Sequence, residues 1–293
     1  MNVLSCFDGI SCGRVALKRA GIRVNRYWSF EIDKYAIKIS QKNSPGDVIA
    51  LGDIKGWRFF NQLPQIDLLM AGFPCQSHSI AGRRGGIESE SGSLLYDLLD
   101  VIEFYKPKDL LLENVKGFLS SGKGETHKYL LNRLNSMGYD IHWDVVNSAL
   151  VSAQNRERVY WTTWEFEQPE DKGLILADII EDGEVDRLKS YCIDANYFKG
   201  GNPRSYFENG RRQLVFEHQS QKRAMIRIGM ADDINGHDIL NILKRVYSPE
   251  GLSPTIAAHS GGNTEPKVAI NEKLYRKLTP RECEKLQTLP VDY

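Results

Sequence analysis

Asp67-Leu68-Leu69-Met70-Ala71-Gly72-Phe73-Pro74-Cys75-Gln76 is the stretch that decides the fold. Asp67 to Ala71 reads as a strand, and its apolar part carries no polar alternation, which suits a strand buried on both faces of a parallel sheet. Gly72 ends it. The residues on either side keep a strand-helix rhythm. Upstream, Val3 to Phe7 is a short apolar run ended by Asp8-Gly9. Arg14 to Ala20 reads as helix and stops at Gly21. Tyr27 to Ile32 reads as strand, and Asp33 to Lys42 as helix before Asn43-Ser44-Pro45-Gly46. Downstream, Leu94 to Tyr105 is an amphipathic helix followed by Pro107. Asp109 to Leu112 is a buried-looking strand leading into Glu113-Asn114-Val115, and Thr126 to Met137 is a helix ended by Gly138. This rhythm predicts an α/β fold, a doubly wound, mostly parallel sheet with helices on both faces. Ligands of such sheets sit at the carboxyl ends of the strands.

The pattern changes near Tyr139. Tyr139 to Leu150 and Val159 to Trp164 read as an antiparallel pair. After Gln168-Pro169 the rhythm weakens into a segment rich in Gly, Asn, Asp, Arg and Tyr. The expected division is a catalytic and cofactor-binding domain over 1–168, a smaller loop-rich β domain over 169–265, and a return segment over 266–293. In that last segment Thr279-Pro280-Arg281-Glu282 has the form of a capping box opening a helix.

Composition narrows the class. The 293 residues are 41% hydrophobic and 26% charged, enough to bury a core without staples. The 38 basic and 38 acidic residues cancel, so any nucleic-acid surface must be a local concentration of charge. The five cysteines, Cys6, Cys12, Cys75, Cys192 and Cys283, form no metal-ligand pattern, and free thiols in a reducing compartment are expected. No run is long enough for a membrane span. A cytoplasmic enzyme without a metal is the expectation.

Two ends of the sheet carry chemistry. The first loop, Phe7-Asp8-Gly9-Ile10-Ser11-Cys12-Gly13, lacks the G-x-G-x-x-G of dinucleotide binders. Glu31 at a strand end can accept from both ribose hydroxyls, and Asp53 after Gly52 can accept from an adenine amino group. Together they suit a nucleoside without a phosphate chain, although a plain strand-Gly-helix corner looks the same. At the second end, Gly72-Phe73-Pro74-Cys75 forms a shaped turn after a strand. A free cysteine is more often a small core hydrophobe. Here the flanking Gly and Pro favour an exposed nucleophile, with Arg83 and Arg84 near in sequence to stabilise a thiolate. Glu113 ends the next strand and pairs with it as the acid partner. Gln154, Arg156 and Arg158 alternate, and on a strand they share one face; an ordinary charged edge strand has the same pattern.

In this order the residues resemble the C5 DNA cytosine methyltransferases. Phe7 to Gly13, Glu31, Asp53, Gly72 to Gln76, Glu113-Asn114-Val115 and Gln154/Arg156/Arg158 match. So do Arg245-Val246-Tyr247-Ser248 through Thr255, Gly261-Gly262 and Arg276 to Glu282. The matches span nearly the whole chain, and the first loop, with Asp8 before Gly9, is closer to the phage-like and animal de novo type than to the commonest bacterial form. The resemblance implies a Rossmann-like fold that uses S-adenosylmethionine and releases S-adenosylhomocysteine. Phe7, Asp8, Gly9, Ile10, Gly13, Glu31, Ile32, Asp53, Ile54, Gly72, Pro74 and Leu94 would surround that cofactor. It also implies a target cytosine flipped out of double-stranded DNA. Cys75 would attack C6, and Glu113, holding a proton, would contact N3. A carboxyl group that keeps a proton at neutral pH needs a closed, dry site. Arg158 would contact the base or Glu113, with Gln154 and Arg156 ordering the site. Ser79 to Ser91 would be a lid over DNA, and Gln76, Ser79, Arg83, Arg84, Arg245 and Thr255 would touch DNA. The 169–265 domain would read the target. The implied protein is a monomer, with a cognate restriction endonuclease as a candidate partner.

The chain departs from the pattern in three places. No Gly-Asn segment opening a final helix follows, so a longer chain or a partner is expected to supply that helix. Ile32 stands where many relatives carry a tryptophan against adenine, and His78 where an apolar aromatic is usual. Three other readings remain open at this level: a DNA-binding targeting subunit, a nucleotide-dependent oxidoreductase and an RNA methyltransferase.

Overall fold

Side-chain alternation sorts the apolar residues of the first half onto the two faces of one sheet. The computed structural model describes residues 1–74, 93–193, 197, 206–216, 227–230, 245–247, 267–268 and 275–293. The strands β1 (Asn2–Cys6), β2 (Arg26–Phe30), β3 (Val48–Gly52), β4 (Leu68–Gly72) and β5 (Asp109–Val115) are parallel. β6 (His142–Asn147) and β7 (Glu157–Thr162) pair antiparallel, as expected, and β7 also runs antiparallel to β5. The sheet has seven strands in the order β3-β2-β1-β4-β5-β7-β6.

Leu4, Cys6, Trp28, Phe30, Leu69, Ala71, Leu110 and Leu112 belong to one buried cluster. They meet Leu98 and Ile102 of α3 (Ser93–Tyr105) and Leu130 and Leu134 of α4 (Glu125–Ser136) there. The alternate positions Val3, Tyr27, Leu68 and Met70 pack on the other face with Leu17 of α1 (Cys12–Arg19). Burial on both faces explains why Leu68 to Ala71 lacks polar alternation. It also explains Gly13 on α1. A methyl group built there would lie 2.5 Å from Met70 Cε and 3.2 Å from the Tyr27 hydroxyl, so the glycine lets the helix lie close on the sheet. A further helix, α2 (Lys34–Asn43), is capped by Asp33, whose carboxylate accepts from the Tyr35 and Ala36 amides. Among the described residues no helix is long and apolar enough to cross a membrane.

Chain order reverses between β1 and β4, the switch point at which such sheets bind ligands. The registers Cys6↔Ala71 and Gly72↔Glu113 bring the exit of β1, the exit of β4 and the end of β5 side by side. The β5 strand runs past Leu112 to Val115, so Glu113 sits within the pairing rather than beyond it.

An aromatic cluster supports this end of the sheet. Phe73, directly after β4, packs edge-on against Phe118 at 5.3 Å between centroids, and Phe118 packs against Trp161 at 5.3 Å. Trp161 is fully buried and donates its indole N–H to His127 Nε2 at 3.1 Å. Burial holds the His127 imidazole below its ordinary range, so the neutral ring that accepts this bond is favoured.

The described residues form two units. The first comprises Met1–Ile179, Leu188–Cys192 and Thr279–Tyr293. It ends in α5 (Pro280–Leu286), where Thr279 and Glu282 exchange the two bonds of the expected capping box. The second comprises Ile180–Arg187 and Ile193–Leu278. In it β8 (Leu214–Phe216) pairs with β12 (Tyr275–Lys277). A small sheet in the order β11-β10-β9 joins β9 (Arg227–Met230), β10 (Arg245–Tyr247) and β11 (Lys267–Val268). Gly183 of this unit has φ +106, and a methyl group there would lie 2.6 Å from the Phe216 carbonyl oxygen.

Two tests of stability follow from these contacts. Gly183→Ala combines a left-handed backbone with a backbone clash and is expected to destabilise the second unit by about 1–3 kcal/mol, read from its denaturation midpoint. For His127, the folded imidazole gives up its proton more readily than the unfolded one. Its stabilisation is therefore complete above the ordinary value of 6.5 and is lost as pH falls from there through the lowered folded value. The stability gap between the parent chain and His127→Gln should be widest above pH 7 and shrink toward pH 5; a constant gap would contradict this role.

Candidate active site

Alternating backbone conformations shape the loop after β1. Phe7, Gly9 and Ser11 have φ of 58°, 59° and 63°. The Phe7 and Asp8 amides both donate to the Phe30 carbonyl, at 2.8 and 3.3 Å. Asp8 turns its carboxylate inward, where Ser5 and Tyr27 donate hydroxyls at 2.6 Å each and Ser11 donates a third. Burial and then the charge of Asp8 push the Tyr27 hydroxyl well above the usual phenol range, which keeps it a donor. Asp8 therefore fastens the loop to β1 and β2. Gly9 needs its left-handed backbone, and a methyl group built on it would meet nothing within 4 Å, so space is open above the loop.

Glu31 follows β2 and closes the loop from the other side. Its Oε2 accepts from the Gly9 amide at 2.7 Å, and its Oε1 accepts from the Ile32 and Asp33 amides at 2.8 Å each. Ile32 beside it is 73% exposed, an unusual state for so apolar a side chain. Asp53 caps a 310 turn, Ile54–Phe60, by accepting from the Lys55 amide at 2.9 Å, while Ile54 is buried. Pro74 and Gly72 are exposed and Leu94 is half-buried against the core. Tyr293, from the last segment of the first unit, donates its hydroxyl to the Ile10 carbonyl at 2.7 Å.

At the exits of β4 and β5 lies a carboxylate held by guanidinium groups. Glu113 Oε1 is 3.0 Å from Arg158 Nε and 3.9 Å from an Arg156 terminal nitrogen. Glu113 Oε2 lies on the other side, 3.4 Å from where a side chain at Gly72 would begin. Arg156 is set by its backbone: its amide donates to Asn147 Oδ1 at 3.0 Å, and its carbonyl accepts from the Ser148 amide at 3.0 Å.

Gln154 corrects a sequence expectation. The β7 strand begins at Glu157, so of Gln154, Arg156 and Arg158 only Arg158 lies on it, and the three do not share a strand face. It is fully buried, bridges to Ser190, and donates to the Leu286 carbonyl at 3.2 Å. The polar side chains of a short loop found backbone partners nearer than the continued strand would have supplied.

Two residues of the cluster were given no role by sequence reading, although Asn114 stands in the Glu113-Asn114-Val115 motif. Asn114, 2% exposed, donates from Nδ2 to the Phe73 carbonyl at 3.0 Å and accepts from the Val115 amide at 2.8 Å. It ties β5 to the backbone that enters the Pro74-Cys75 turn. A buried asparagine beside a strand carboxylate was its only signal. Cys192 places its sulfur 3.6 Å from Arg156 and 4.0 Å from Arg158, and nothing in its local sequence marks it. Cys75, Gln76, Ser79, Arg83, Arg84, Thr255, the Ser79 to Ser91 lid and the Arg245 side chain lie outside the described residues.

The described edge of the sheet thus holds a carboxylate gripped by two arginines and an open loop after β1. The family model for C-5 cytosine-specific DNA methylases matches residues 1–293, and the chain belongs to that family of methyl-transferring enzymes. Among its relatives is the type II methyltransferase M.HpaII of Haemophilus parainfluenzae. It is 32% identical over 99% of this chain and 80% of the relative. The orphan methyltransferase M.SPBetaI of Bacillus phage SPbeta is 30% identical over 98% of the chain and 78% of the relative. M.HhaI of Haemophilus parahaemolyticus, a type II methyltransferase, is 28% identical over the whole chain and 85% of the relative.

Replacing Asn114 by alanine orphans the Phe73 carbonyl and the Val115 amide at a buried site. The expected loss is about 1–3 kcal/mol in urea denaturation. An unchanged midpoint would remove Asn114 from this role.

Proposed function

We propose that this chain transfers a methyl group from S-adenosylmethionine to C5 of a cytosine flipped out of duplex DNA, through a covalent bond between Cys75 and C6. The observation that carries the proposal is the Glu113 carboxyl group, held at 3.0 Å by Arg158 with Oε2 toward Gly72, three residues before Cys75.

The cofactor end fits a nucleoside. Exposed Ile32 offers apolar surface beside the Glu31 carboxylate, and the space above Gly9 is open. Glu31 accepts three backbone bonds, and a carboxylate has about four acceptor positions, so it can still take a ribose hydroxyl. Phe7, Asp8, Ile10, Gly13, Asp53, Ile54, Gly72, Pro74 and Leu94 complete the proposed surroundings. For Asp8 and Gly13 the contribution is to shape the loop. When bound, S-adenosylmethionine supplies an electrophilic methyl group on a sulfonium.

The protein's own groups do the rest. The Cys75 thiolate forms the S–C6 bond, and the ring electrons move toward N3 and C5. Glu113 meets N3 through the oxygen that faces Gly72 and gives it a proton, while Arg158 fixes the other oxygen. C5 becomes nucleophilic and is methylated. A base then removes the C5 proton, the electron pair reforms the C5–C6 double bond as the Cys75 thiolate leaves, and N3 returns its proton to Glu113. Arg156 steadies the same Glu113 oxygen as Arg158, at 3.9 Å, and Gln154 acts through the Leu286 carbonyl. Flipping exposes the base to this site. The 169–265 segment, with Arg245 and Thr255, is proposed to read the target, and Gln76, Ser79, Arg83 and Arg84 to close on DNA. Relatives named both type II and orphan methyltransferases support a role either beside a restriction endonuclease or without one.

Cys75→Ser is expected to abolish labelled-methyl transfer while leaving duplex binding nearly intact. With 5-fluorocytosine at the target and cofactor present, the parent should be trapped covalently, because fluorine cannot leave C5 as a proton does. Binding lost in parallel with activity, or no trapped complex, would refute the assignment.

A further inference from the structure

The short segment Leu188–Cys192 returns to the first unit and is fastened there at several points. The Ser190 amide donates to the Ala153 carbonyl at 2.7 Å, and the Ser190 carbonyl accepts from the Asn155 amide at 2.9 Å. Lys189 inserts its ammonium among three backbone carbonyls, those of Ala149 at 2.6 Å, Ser152 at 3.2 Å and Leu174. Ser190 is fully buried. A segment held this way has little freedom, so the side chain two residues on is delivered to a defined place. That side chain is Cys192.

Its sulfur lies 3.6 Å from Arg156 Nη1 and 4.0 Å from Arg158 Nη2. The same two guanidiniums meet Glu113 Oε1 through other nitrogens, Arg156 through Nη2 at 3.9 Å and Arg158 through Nε at 3.0 Å. A guanidinium is a rigid plane with five N–H donors. One anchor leaves the plane free to swing; two on different nitrogens fix its tilt. Arg158 also donates from Nη1 to the Glu157 carbonyl at 2.8 Å, so Cys192 supplies a second anchor to Arg156 and a third to Arg158, and it is the group that ties the two planes to each other. We propose that Cys192 is a positioning residue for methyl transfer, orienting Arg156 and Arg158 so that they present Glu113 to the cytosine ring. The proposal rests on the role given to Glu113 and Arg158 above.

The test uses the whole chain, duplex DNA carrying the target, and labelled S-adenosylmethionine, with Cys192→Ala, Cys192→Ser and Arg158→Ala compared with the parent. Misorienting a proton-donating group by a fraction of an ångström is expected to cost Cys192→Ala about tenfold in kcat, with KM for the cofactor unchanged. Serine keeps an acceptor at this position, so Cys192→Ser should return kcat to within about twofold of the parent. The pH profile of kcat should move in the alanine variant and not in the serine variant. Cys192→Ala at parent activity, or alanine and serine variants equally impaired, overturns the inference. Arg158→Ala separates the two levels. If it loses transfer while Cys192→Ala does not, only the role of Cys192 fails. If Arg158→Ala keeps full activity, the reading of the site fails and this inference with it.

Discussion

The register that sets Gly72 opposite Glu113 is the constraint on which the site depends. Parallel strands expose their carboxyl ends on the same edge. A glycine at the last paired position of β4 leaves room beside it, and Glu113 fills that room from β5. A side chain at Gly72 would begin 3.4 Å from the carboxylate, already in contact with it. Asn114, the next residue on β5, points the other way and holds the carbonyl of Phe73. Two successive side chains of one strand thus face the turn after β4 from opposite sides: Glu113 sets a carboxylate beside Gly72, and Asn114 holds the Phe73 backbone.

Charge at this edge is arranged locally. The chain as a whole is neutral, with 38 basic and 38 acidic residues. Around Glu113, two guanidiniums meet one carboxylate and one thiol. Arg158 is only 15% exposed at its side chain, so its attraction to Glu113 is screened less than that of a surface pair. Exposed pairs elsewhere, such as Lys128 with Glu125, contribute little to stability by comparison. The Asp8 knot is the counterpart at the first loop. Its three hydroxyl donors hold a carboxylate without a cation and keep the backbone of Phe7 to Ser11 in a conformation that few side chains adopt unaided.

The sheet was legible because its signal is one-dimensional. Leu68 to Ala71 could be buried on both sides only in a parallel sheet, and Thr279 to Glu282 could be read as a cap from four adjacent residues. The place of Glu31 was legible for the same reason: it lies directly after its strand, where it accepts from the Gly9 amide. What sequence reading missed depends on residues distant along the chain. Gln154 seemed part of an alternating strand, but its partner is a carbonyl 132 positions away. Cys192 meets Arg156 across 36 residues, and no spacing rule connects them. Gly13 seemed a ligand-facing glycine, and its neighbours prove to be Met70 and Tyr27.

The first unit is made of three stretches of chain interrupted by the second. Ser152 and Gln154 both donate to the Leu286 carbonyl, and Tyr293 reaches the Ile10 carbonyl across 283 positions. A ribosome builds the chain from the other end. Through most of synthesis, the loop after β1 and the segment before Arg156 must wait for partners not yet made. Closing such long loops costs entropy before any contact repays it. The nascent polypeptide can therefore complete its sheet early, while the loop after β1 and the segment before Arg156 gain these partners only after residues 279–293 have been made, so the order of synthesis sets the order in which this region becomes ordered.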